Sequence, residues 1–493
     1  MDVHKNLIDG RRVPALDGRL TEDRNPADRR QIVARVPRSG PKDVHSAVQA
    51  ARRALPVWST MPAPKRAHVL LRSAVLLEER KDALAKFMTH EMGKPLKETR
   101  ADVQEAIDTA YYFAGEGRRL FGQTMPSELP DKLCLTFRRP VGVCGLITPW
   151  NFPIAVPSWK VYPALIAGNT LVLKPAEDTP VCALLFAEIL SEAGLPDGVL
   201  NVVTGLGGEA GDALVRHKDV ALLSFTGSAD VGARVASICG ASLRRVALEL
   251  GGKNAQIVLE DADLDLAVEG ALWGAFATAG QRCTATSRLV IHQKIYKKFL
   301  DALVDRAKKI KLGNASVDPS VEVGPVINAK QLKRIDSYVR GAVRQGARLV
   351  LGGRASRRAD LRFGNFYEPT IFSGVLPGMT IAREEVFGPV TCVLRVKNYE
   401  EAVRVVNDTE YGLSSSIYTR DVNRAARAIT DIQSGITYVN SPTIGAEAHL
   451  PFGGVKKTGN GFREAGPTAL DVFTEWKTVY FDYSARLQKA QVD

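Results

Sequence analysis

Cysteine is scarce in this sequence, which has six among 493 residues and no regular spacing between them. Such a set does not build a disulfide framework, so we expect a reducing, cytoplasmic compartment. The N-terminal segment lacks the apolar core of a signal peptide, and we expect none. The most apolar stretch, residues 141–173, contains four prolines, which argues against a membrane-spanning helix.

Long runs of a single charge are absent as well, although the net charge is +12. Basic residues are scattered among acidic ones, which indicates a solvated basic surface and argues against nucleic-acid binding. The same charge favours anionic ligands. With 45% hydrophobic and 24% charged residues, the composition is that of a folded globular protein. The length corresponds to about two to four domains.

The middle of the chain alternates short apolar runs with amphipathic ones. The apolar runs 141–147, 170–173, 199–203, 220–225 and 243–250 read as strands, and the segments between them as helices. Thr179, Ser228 and Asp263 are placed to begin helices. This rhythm predicts a doubly wound α/β sheet with parallel strands, which binds nucleotides at the carboxyl ends of its strands.

A second series of alternating helices and strands begins near residue 263 and reaches residue 432. Residues 1–120 are expected to be mainly helical after an irregular start. Segments 123–139 and 473–483 belong to neither series, since both alternate apolar and polar residues like strands. They could pair in a separate small sheet, extend the sheet of a neighbouring subunit, or form two surface hairpins.

One of the six cysteines stands apart from the others. Cys283 lies in a Gly-Gln-Arg-Cys-Thr segment between a predicted helix and a predicted strand. A glycine turn, an adjacent arginine and backbone N–H groups would expose the thiol and stabilise its thiolate, although a loop cysteine can also be incidental. The other five lie among apolar neighbours and are interpreted as buried small hydrophobic residues: Cys134, Cys144, Cys182, Cys239 and Cys392.

Two further polar residues lie where apolar ones are expected. Glu249 sits within a strand-like run before Gly251 and Gly252, so burial should raise its pKa towards that of a general base. The alternative is a structural pairing with Lys253 or an arginine. Asn151, fixed between two prolines after the strand 141–147, is a candidate oxyanion donor or a residue that only stabilises its own turn.

The strand ends also carry candidate nucleotide contacts. Gly227 and Ser228 close one strand and open a helix whose first N–H groups suit a pyrophosphate. This turn differs from the usual G-x-G-x-x-G fingerprint. Lys174 and Glu177 follow the next predicted strand and could bind ribose hydroxyls or be plain loop residues.

Taken together, these motifs resemble the aldehyde dehydrogenase superfamily over about residues 20–480. The matching segments, in family order, are Pro149–Pro153, Lys174–Glu177, Phe225–Ser228, Leu248–Lys253, Phe276 with Gly280–Cys283, Glu384–Pro389 and Pro451–Gly454.

The resemblance implies an aldehyde-dehydrogenase-like α/β fold with two doubly wound domains and a small oligomerisation β-sheet. Residues 1–122 and 141–251 would form an NAD-binding domain, and 252–467 a catalytic domain. Residues 123–140 and 468–493 would be the oligomerisation segments of a homodimer or homotetramer. No metal, membrane or nucleic-acid partner is implied.

The resemblance also implies the roles of individual residues. The thiolate of Cys283 attacks the aldehyde, Asn151 binds the oxyanion, and Glu249 activates the water that hydrolyses the thioester. NAD is the expected cofactor because the carboxylate of Glu177 repels a 2′-phosphate, with NADP left open by Lys174. The implied cofactor-binding residues are Thr148, Trp150, Lys174, Glu177, Gly227, Ser228, Gly251, Glu385 and Phe387.

The substrate is indicated by Arg282, which directly precedes Cys283. In the family, an arginine there recurs in enzymes of carboxylate-bearing semialdehydes, so Arg282 and Phe152 are predicted to contact the substrate. The closest branches are those for 2-oxoglutaric and aminoadipic semialdehydes. Alternatively, Arg282 pairs with a nearby carboxylate and the enzyme is a general aldehyde dehydrogenase. Phe462, between Gly461 and Arg463, departs from the family pattern near the substrate mouth.

Three other functions remain as alternatives. Coenzyme A could accept the acyl group instead of water, although relatives that use it generally lack a base like Glu249. A catalytically silent structural member of the family is a second alternative. A cysteine hydrolase is the third, for which His449 is the sole histidine in a motif-rich loop.

Overall fold

A computed structural model describes residues 3–491 of the chain. Residues 1–2 of the predicted segment 1–122 and residues 492–493 of the predicted segment 468–493 lie outside the described residues. The N-terminal part contains four short strands and three long helices. Their bounds are β1 Asn6–Ile8, β2 Arg11–Val13, β3 Leu20–Arg24, β4 Ile32–Pro37, α1 Pro41–Thr60, α2 Ala63–Met92 and α3 Leu96–Glu116. The expectation that residues 1–120 are mainly helical after an irregular start is confirmed: the four strands, three to six residues long, all lie in that start, before the three helices.

The predicted strand–helix alternation follows, after two strands of a separate sheet. The elements are β5 Gln123–Met125, β6 Lys132–Pro140, β7 Val143–Ile147, α4 Ala155–Ala167, β8 Thr170–Lys174, α5 Pro180–Glu192, β9 Leu200–Val202, α6 Asp212–Arg216, β10 Leu222–Thr226, α7 Ala229–Gly240 and β11 Arg245–Glu249. The helix predicted over 209–217 is instead a π-helical turn, Gly207–Gly211, followed by α6.

The second series follows. Its elements are β12 Ala255–Val258, α8 Leu264–Phe276, β13 Arg288–His292, α9 Tyr296–Ala307, α10 Ala329–Arg344, β14 Arg348–Leu351, β15 Thr370–Ser373, α11 Thr380–Arg383, β16 Val390–Val396, α12 Tyr399–Asn407, β17 Ser414–Tyr418, α13 Val422–Asp431 and β18 Ile436–Val439. After this series come α14 Ala469–Phe473 and β19 Thr474–Asp482, the second segment of the separate sheet.

Helix starts follow the predicted sequence signals only in part. Asp263 caps α8 by accepting a hydrogen bond from the Leu266 N–H at 3.1 Å. α5 begins at Pro180 as predicted, but the Thr179 hydroxyl donates to the Trp150 carbonyl at 3.3 Å instead of capping the helix. Ser228 precedes α7 without a side-chain cap, so its hydroxyl remains available at that helix start.

Two seven-stranded sheets form the core, in the orders β11-β10-β7-β8-β9-β1-β2 and β14-β15-β16-β13-β12-β17-β18. In the first sheet, β7 to β11 are parallel, and the two N-terminal strands extend one edge in antiparallel fashion. Alternate side chains of β7 enter separate apolar clusters on its two faces, Cys144 in one and Val143 in the other. This is the doubly wound arrangement that the sequence predicts.

The two segments outside the main series pair with each other. β19 and β6 are antiparallel from Thr474↔Pro140 to Asp482↔Lys132, and β5 completes a separate three-stranded sheet. This is the first of the three predicted alternatives. Within residues 3–491, no helix is both long and apolar enough to cross a membrane.

Candidate active site

A cavity of about 860 Å³ opens beside the carboxyl ends of the first sheet's strands. Strand order reverses between β7 and β10, because the chain moves outward through β8 and β9 and then returns to the other side of β7. Such a reversal leaves a crevice for ligands. The predicted site residues that line this cavity are Trp150, Asn151, Phe152, Gly227, Ser228, Glu249, Gly251, Arg282, Cys283, Glu385 and Phe387.

Cys283 is the only half-buried cysteine among the six; the other five are buried. Burial raises the pKa of its thiol, and the charges of Glu385 and Glu249 raise it further, while backbone N–H groups of Thr284 and Cys283 act in the opposite direction. The expectation that an adjacent cation stabilises the thiolate is therefore wrong for this resting site. Cys283 is a neutral thiol that needs a base to become a nucleophile.

Glu249 ends β11, and its carboxyl group is buried on the cavity wall. Neither carboxylate oxygen has a hydrogen-bond partner among residues 3–491, so it pairs with neither Lys253 nor an arginine there. Burial raises its pKa well above the ordinary value, and the charge of Glu464 adds to the shift. The sequence-based expectation of a raised pKa is confirmed. An unpartnered carboxyl group with a raised pKa has the properties of a general base.

A buried polar cluster lies behind Glu249 and was not predicted from the sequence. Lys160, on α4, forms an ion pair with Glu464, and its ammonium also donates to the Ser224 hydroxyl at 2.8 Å. All three side chains are buried. Glu464 also lines the cavity, so Glu249 has a second carboxylate nearby.

Asn151 is held in place from both ends. Its side-chain Nδ2 donates to the Gln281 carbonyl at 2.9 Å, which leaves a second N–H of the same amide for a ligand. Its backbone carbonyl accepts from the buried Lys94 ammonium at 2.9 Å, and that ammonium pairs with Asp102 at 2.6 Å. Asp102 also accepts from the Ala155 N–H at 2.8 Å, at the start of α4. A fixed amide donor of this kind suits an oxyanion.

The strand ends next to the cavity fit a dinucleotide. The hydroxyls of Thr148, after β7, and Thr226, at the end of β10, are buried without hydrogen-bond partners among the described residues. Lys174 ends β8, and its ammonium contacts the Glu177 carboxylate at 3.1 Å. Burial works against ionisation of Glu177, but the charge of Lys174 and nearby N–H groups outweigh it and hold its pKa below the ordinary value. Glu177 is thus an anionic acceptor.

The other cofactor candidates meet at the cavity. Glu385 accepts a hydrogen bond from the Gly252 N–H at 2.9 Å, and burial raises its pKa to about 7. A Cβ atom on Gly251 would overlap the Glu385 carboxylate, which explains the need for glycine there. The rings of Trp150 and Phe387 pack edge to face with centroids 5.3 Å apart. Thr148, Lys174 and Glu177 lie along the strand ends and are not among the residues that line the cavity.

Arg282 lines the cavity and also forms an ion pair. Its Nη2 contacts the Glu98 carboxylate at 2.8 Å, and its Nε donates to the Thr278 hydroxyl at 2.9 Å. The guanidinium lies 5.1 Å from the ring centroid of Phe152 and 5.7 Å from that of Trp273. Nη1 has no hydrogen-bond partner within residues 3–491 and is available to a ligand.

Sequence reasoning missed the polar residues that support the site from a distance: Lys94, Glu98, Asp102, Lys160 and Glu464. The first three precede or occupy α3, where charged residues in an amphipathic helix look like a solvated face. Their only sequence signal is that all three are charged residues on segments that otherwise pack into a core.

Comparisons with known proteins agree with this geometry. Residues 14–479 match the profile described as "Aldehyde dehydrogenase family". The chain is 40% identical to alpha-ketoglutaric semialdehyde dehydrogenase of Bacillus subtilis, over 97% of this chain and 98% of that protein. It is 42% identical to the alpha-ketoglutarate semialdehyde dehydrogenase of Haloferax volcanii, over 98% and 100%. A crystal structure of betaine aldehyde dehydrogenase from Staphylococcus aureus in complex with NAD+ superposes with a TM-score of 0.96 at 36% identity, covering 99% and 97%.

Proposed function

The chain belongs to the aldehyde dehydrogenase family, and from this premise we propose that it oxidises a carboxylate-bearing semialdehyde to the corresponding acid with NAD. The observation that carries the proposal is that Cys283, Glu249 and Asn151 line one cavity together with the Gly227–Ser228 turn and Glu385.

The first half-reaction begins with the loss of the thiol proton of Cys283, for which ionised Glu249 is the nearby acceptor. The thiolate then forms a C–S bond to the aldehyde carbon, and the carbonyl oxygen becomes an oxyanion. The free N–H of Asn151 and the backbone N–H of Cys283 stabilise that charge. One such donor contributes about 10²–10³ in rate. Departure of the aldehyde hydrogen with its electron pair leaves a thioester on Cys283.

The second half-reaction is hydrolysis of the thioester. Glu249 first releases to solvent the proton that it took from Cys283. The ionised carboxylate then accepts a proton from water as the water oxygen bonds to the acyl carbon, and the C–S bond breaks to release the acid and the Cys283 thiolate. A neighbouring carboxylate, Glu464, disfavours a second negative charge and keeps the affinity of Glu249 for that proton high.

The cofactor proposal rests on the strand ends. When bound, NAD supplies the acceptor for the hydride that leaves the aldehyde carbon. Ser228 and the α7 N-terminus would hold the pyrophosphate, Lys174 and Glu177 the adenosine ribose, and Glu385 the nicotinamide ribose. The anionic Glu177 favours NAD over NADP, which the ratio of kcat/KM for the two cofactors measures directly.

The substrate proposal rests on Arg282. A guanidinium with a free Nη1 inside the cavity suits a carboxylate at the far end of the aldehyde. Phe152 packs beside it and would limit the position of the substrate chain. A general aldehyde dehydrogenase is the second candidate. The Arg282–Glu98 ion pair favours it, because Glu98 already neutralises the positive charge of Arg282 that would attract a substrate carboxylate.

The test is to compare Arg282→Ala with the wild type on a 2-oxoglutaric-type semialdehyde and on an uncharged aldehyde of similar length, following NADH at 340 nm. Loss of a charge-assisted hydrogen bond should lower kcat/KM for the semialdehyde by roughly 10- to 150-fold and affect the neutral aldehyde much less. Equal losses on both substrates would favour the general enzyme.

We also propose the predicted domain division, 1–122 with 141–251, 252–467, and 123–140 with 468–493. The last strand of the first sheet ends at Glu249 and the second sheet begins at Ala255, which supports the first boundary.

The three-stranded sheet exposes aromatic side chains and is proposed to mediate a homodimer or homotetramer. All six cysteines are free thiols, which supports a reducing, cytoplasmic setting.

A further inference from the structure

A carboxylate on helix α3 holds together the turn that precedes the nucleophile. Glu98 is 3% exposed and accepts three hydrogen bonds from two residues of that turn. Its Oε1 accepts from the Thr278 N–H at 3.1 Å, and its Oε2 accepts from the Thr278 hydroxyl at 2.5 Å and from Arg282 Nη2 at 2.8 Å. Because Arg282 Nε donates to the same hydroxyl, the three side chains form a closed ring of hydrogen bonds.

The turn itself is strained. Thr278 and Ala279 have φ values of 55° and 54°, a left-handed conformation that a β-branched residue rarely adopts. Such a conformation persists only where the surroundings fix it. Glu98 binds both the N–H and the hydroxyl of Thr278, and Gln281 binds its carbonyl at 3.1 Å, so these two residues together fix the turn.

Glu98 also determines where the guanidinium of Arg282 lies. The contact with Glu98 and the flanking rings of Phe152 and Trp273 leave Nη1 as the free part of the group. A guanidinium released from Glu98 would lose the contact that fixes Nη2 and, with it, a constraint on the position of Nη1.

We propose that Glu98 is a positioning residue that acts through Arg282 to set the selectivity of the site for aldehydes with a remote carboxylate. This role rests on the proposed semialdehyde function. The carboxylate of Glu98 touches no reacting atom; it presents the free N–H groups of Arg282 Nη1 to the cavity.

The decisive variant is Glu98→Gln. Its amide oxygen can still accept from the Thr278 N–H, but its NH2 group cannot accept from Arg282, so the turn keeps a partner and the guanidinium loses one. We expect KM for succinic semialdehyde to rise by about 10-fold or more, with kcat and the parameters for butanal within about 3-fold of wild type. Glu98→Asp restores the negative charge and should recover part of the loss.

Glu116→Gln is the matched control. Glu116 lies on the same helix, pairs with Arg119 at 2.6 Å and is outside the cavity, so activity on neither substrate should be affected.

Equal losses on both aldehydes in Glu98→Gln would overturn the proposal, as would a lower KM for the semialdehyde, which would mean that Glu98 masks Arg282. A wild-type enzyme without preference for the semialdehyde refutes the substrate class and this role together. A preference that Glu98→Gln leaves intact refutes the role alone.

Discussion

At the scale of single residues, the nucleophile and the base of this site are both acids with raised pKa values. Burial raises the pKa of Cys283 and of Glu249, and each is further raised by neighbouring carboxylates. Raised pKa values favour the protonated forms of both groups, so higher pH promotes the ionisation of each. The chemistry depends on pH through these two groups and also through Glu385, which lines the same cavity and whose pKa burial raises to about 7.

Replacing the nucleophile should separate chemistry from cofactor binding. Cys283→Ala removes the sulfur that forms the thioester, so dehydrogenase activity should fall below about one per cent of wild type, as for other essential nucleophiles. NAD affinity, followed by quenching of protein fluorescence, should be nearly unchanged. Cys392→Ala is the control, because Cys392 is buried in the second sheet and should change only stability. Substantial turnover without Cys283 would remove it from the mechanism.

Glu249→Gln should trap the enzyme after its first half-reaction. The amide cannot accept a proton from water, so a burst of NADH, at most about one per site, should precede very slow turnover. If Glu249 also deprotonates Cys283, the burst is itself slow and recovers as pH rises.

The pH profile of the wild type tests the same residue. The proposed active form of Glu249 is ionised, so kcat should increase with pH. Because the pKa of Glu249 is raised, the midpoint of this increase should lie above about 4.3, the pKa of an exposed glutamate. A wild type that is fully active at pH 5, or normal steady-state turnover in Glu249→Gln, would contradict the role of general base.

At the scale of elements, the site residues that the sequence predicts are those attached to strand ends. Glu249 and Lys174 end β11 and β8, so the strand–helix rhythm was enough to bring them to one edge of the sheet. The supporting residues could not be predicted in this way. Glu98 contacts Thr278 across 180 residues of sequence, and nothing local to either segment records that contact. Helix α3 therefore matters to the site through tertiary contacts alone.

Asp102 of α3 gives a direct test of that support. Asp102→Asn keeps the side-chain shape but leaves the Lys94 ammonium, which is 1% exposed, without its counter-ion. Breaking a buried pair on one side costs about 3–5 kcal/mol. We expect a lower midpoint of thermal unfolding and a lower kcat, because Lys94 also fixes the Asn151 backbone.

The control for this pair is Asp82→Asn. Asp82 lies on α2 and pairs with Arg100 of α3 at 2.8 Å. Both side chains are exposed, so little change in stability or activity is expected. If Asp102→Asn were as stable and as active as Asp82→Asn, the buried pair would not be what holds Asn151.

At the scale of the whole molecule, the two seven-stranded sheets and helix α3 surround one cavity, whereas the three-stranded sheet stands apart from it. The sequence predicted strands in both of its segments, because each alternates apolar and polar residues, but the alternation alone left their pairing open. The structure pairs them in one antiparallel register over nine residues, and β19 is largely exposed on both of its faces. Trp476, Tyr480 and Phe481 on β19 are 50%, 68% and 59% exposed.

Exposed aromatic side chains clustered on one strand indicate a surface for another chain, and a second copy is the proposed partner. Tyr480→Glu with Phe481→Glu places one charge on each exposed face of β19, and desolvating such a charge on association is unfavourable. We expect sedimentation velocity to show the wild type as a dimer or tetramer and the double variant as a smaller species. Val317→Glu, at an apolar residue exposed outside β19, should keep the wild-type size. A monomeric wild type, or a double variant of unchanged size, would show that this sheet does not hold copies of the chain together.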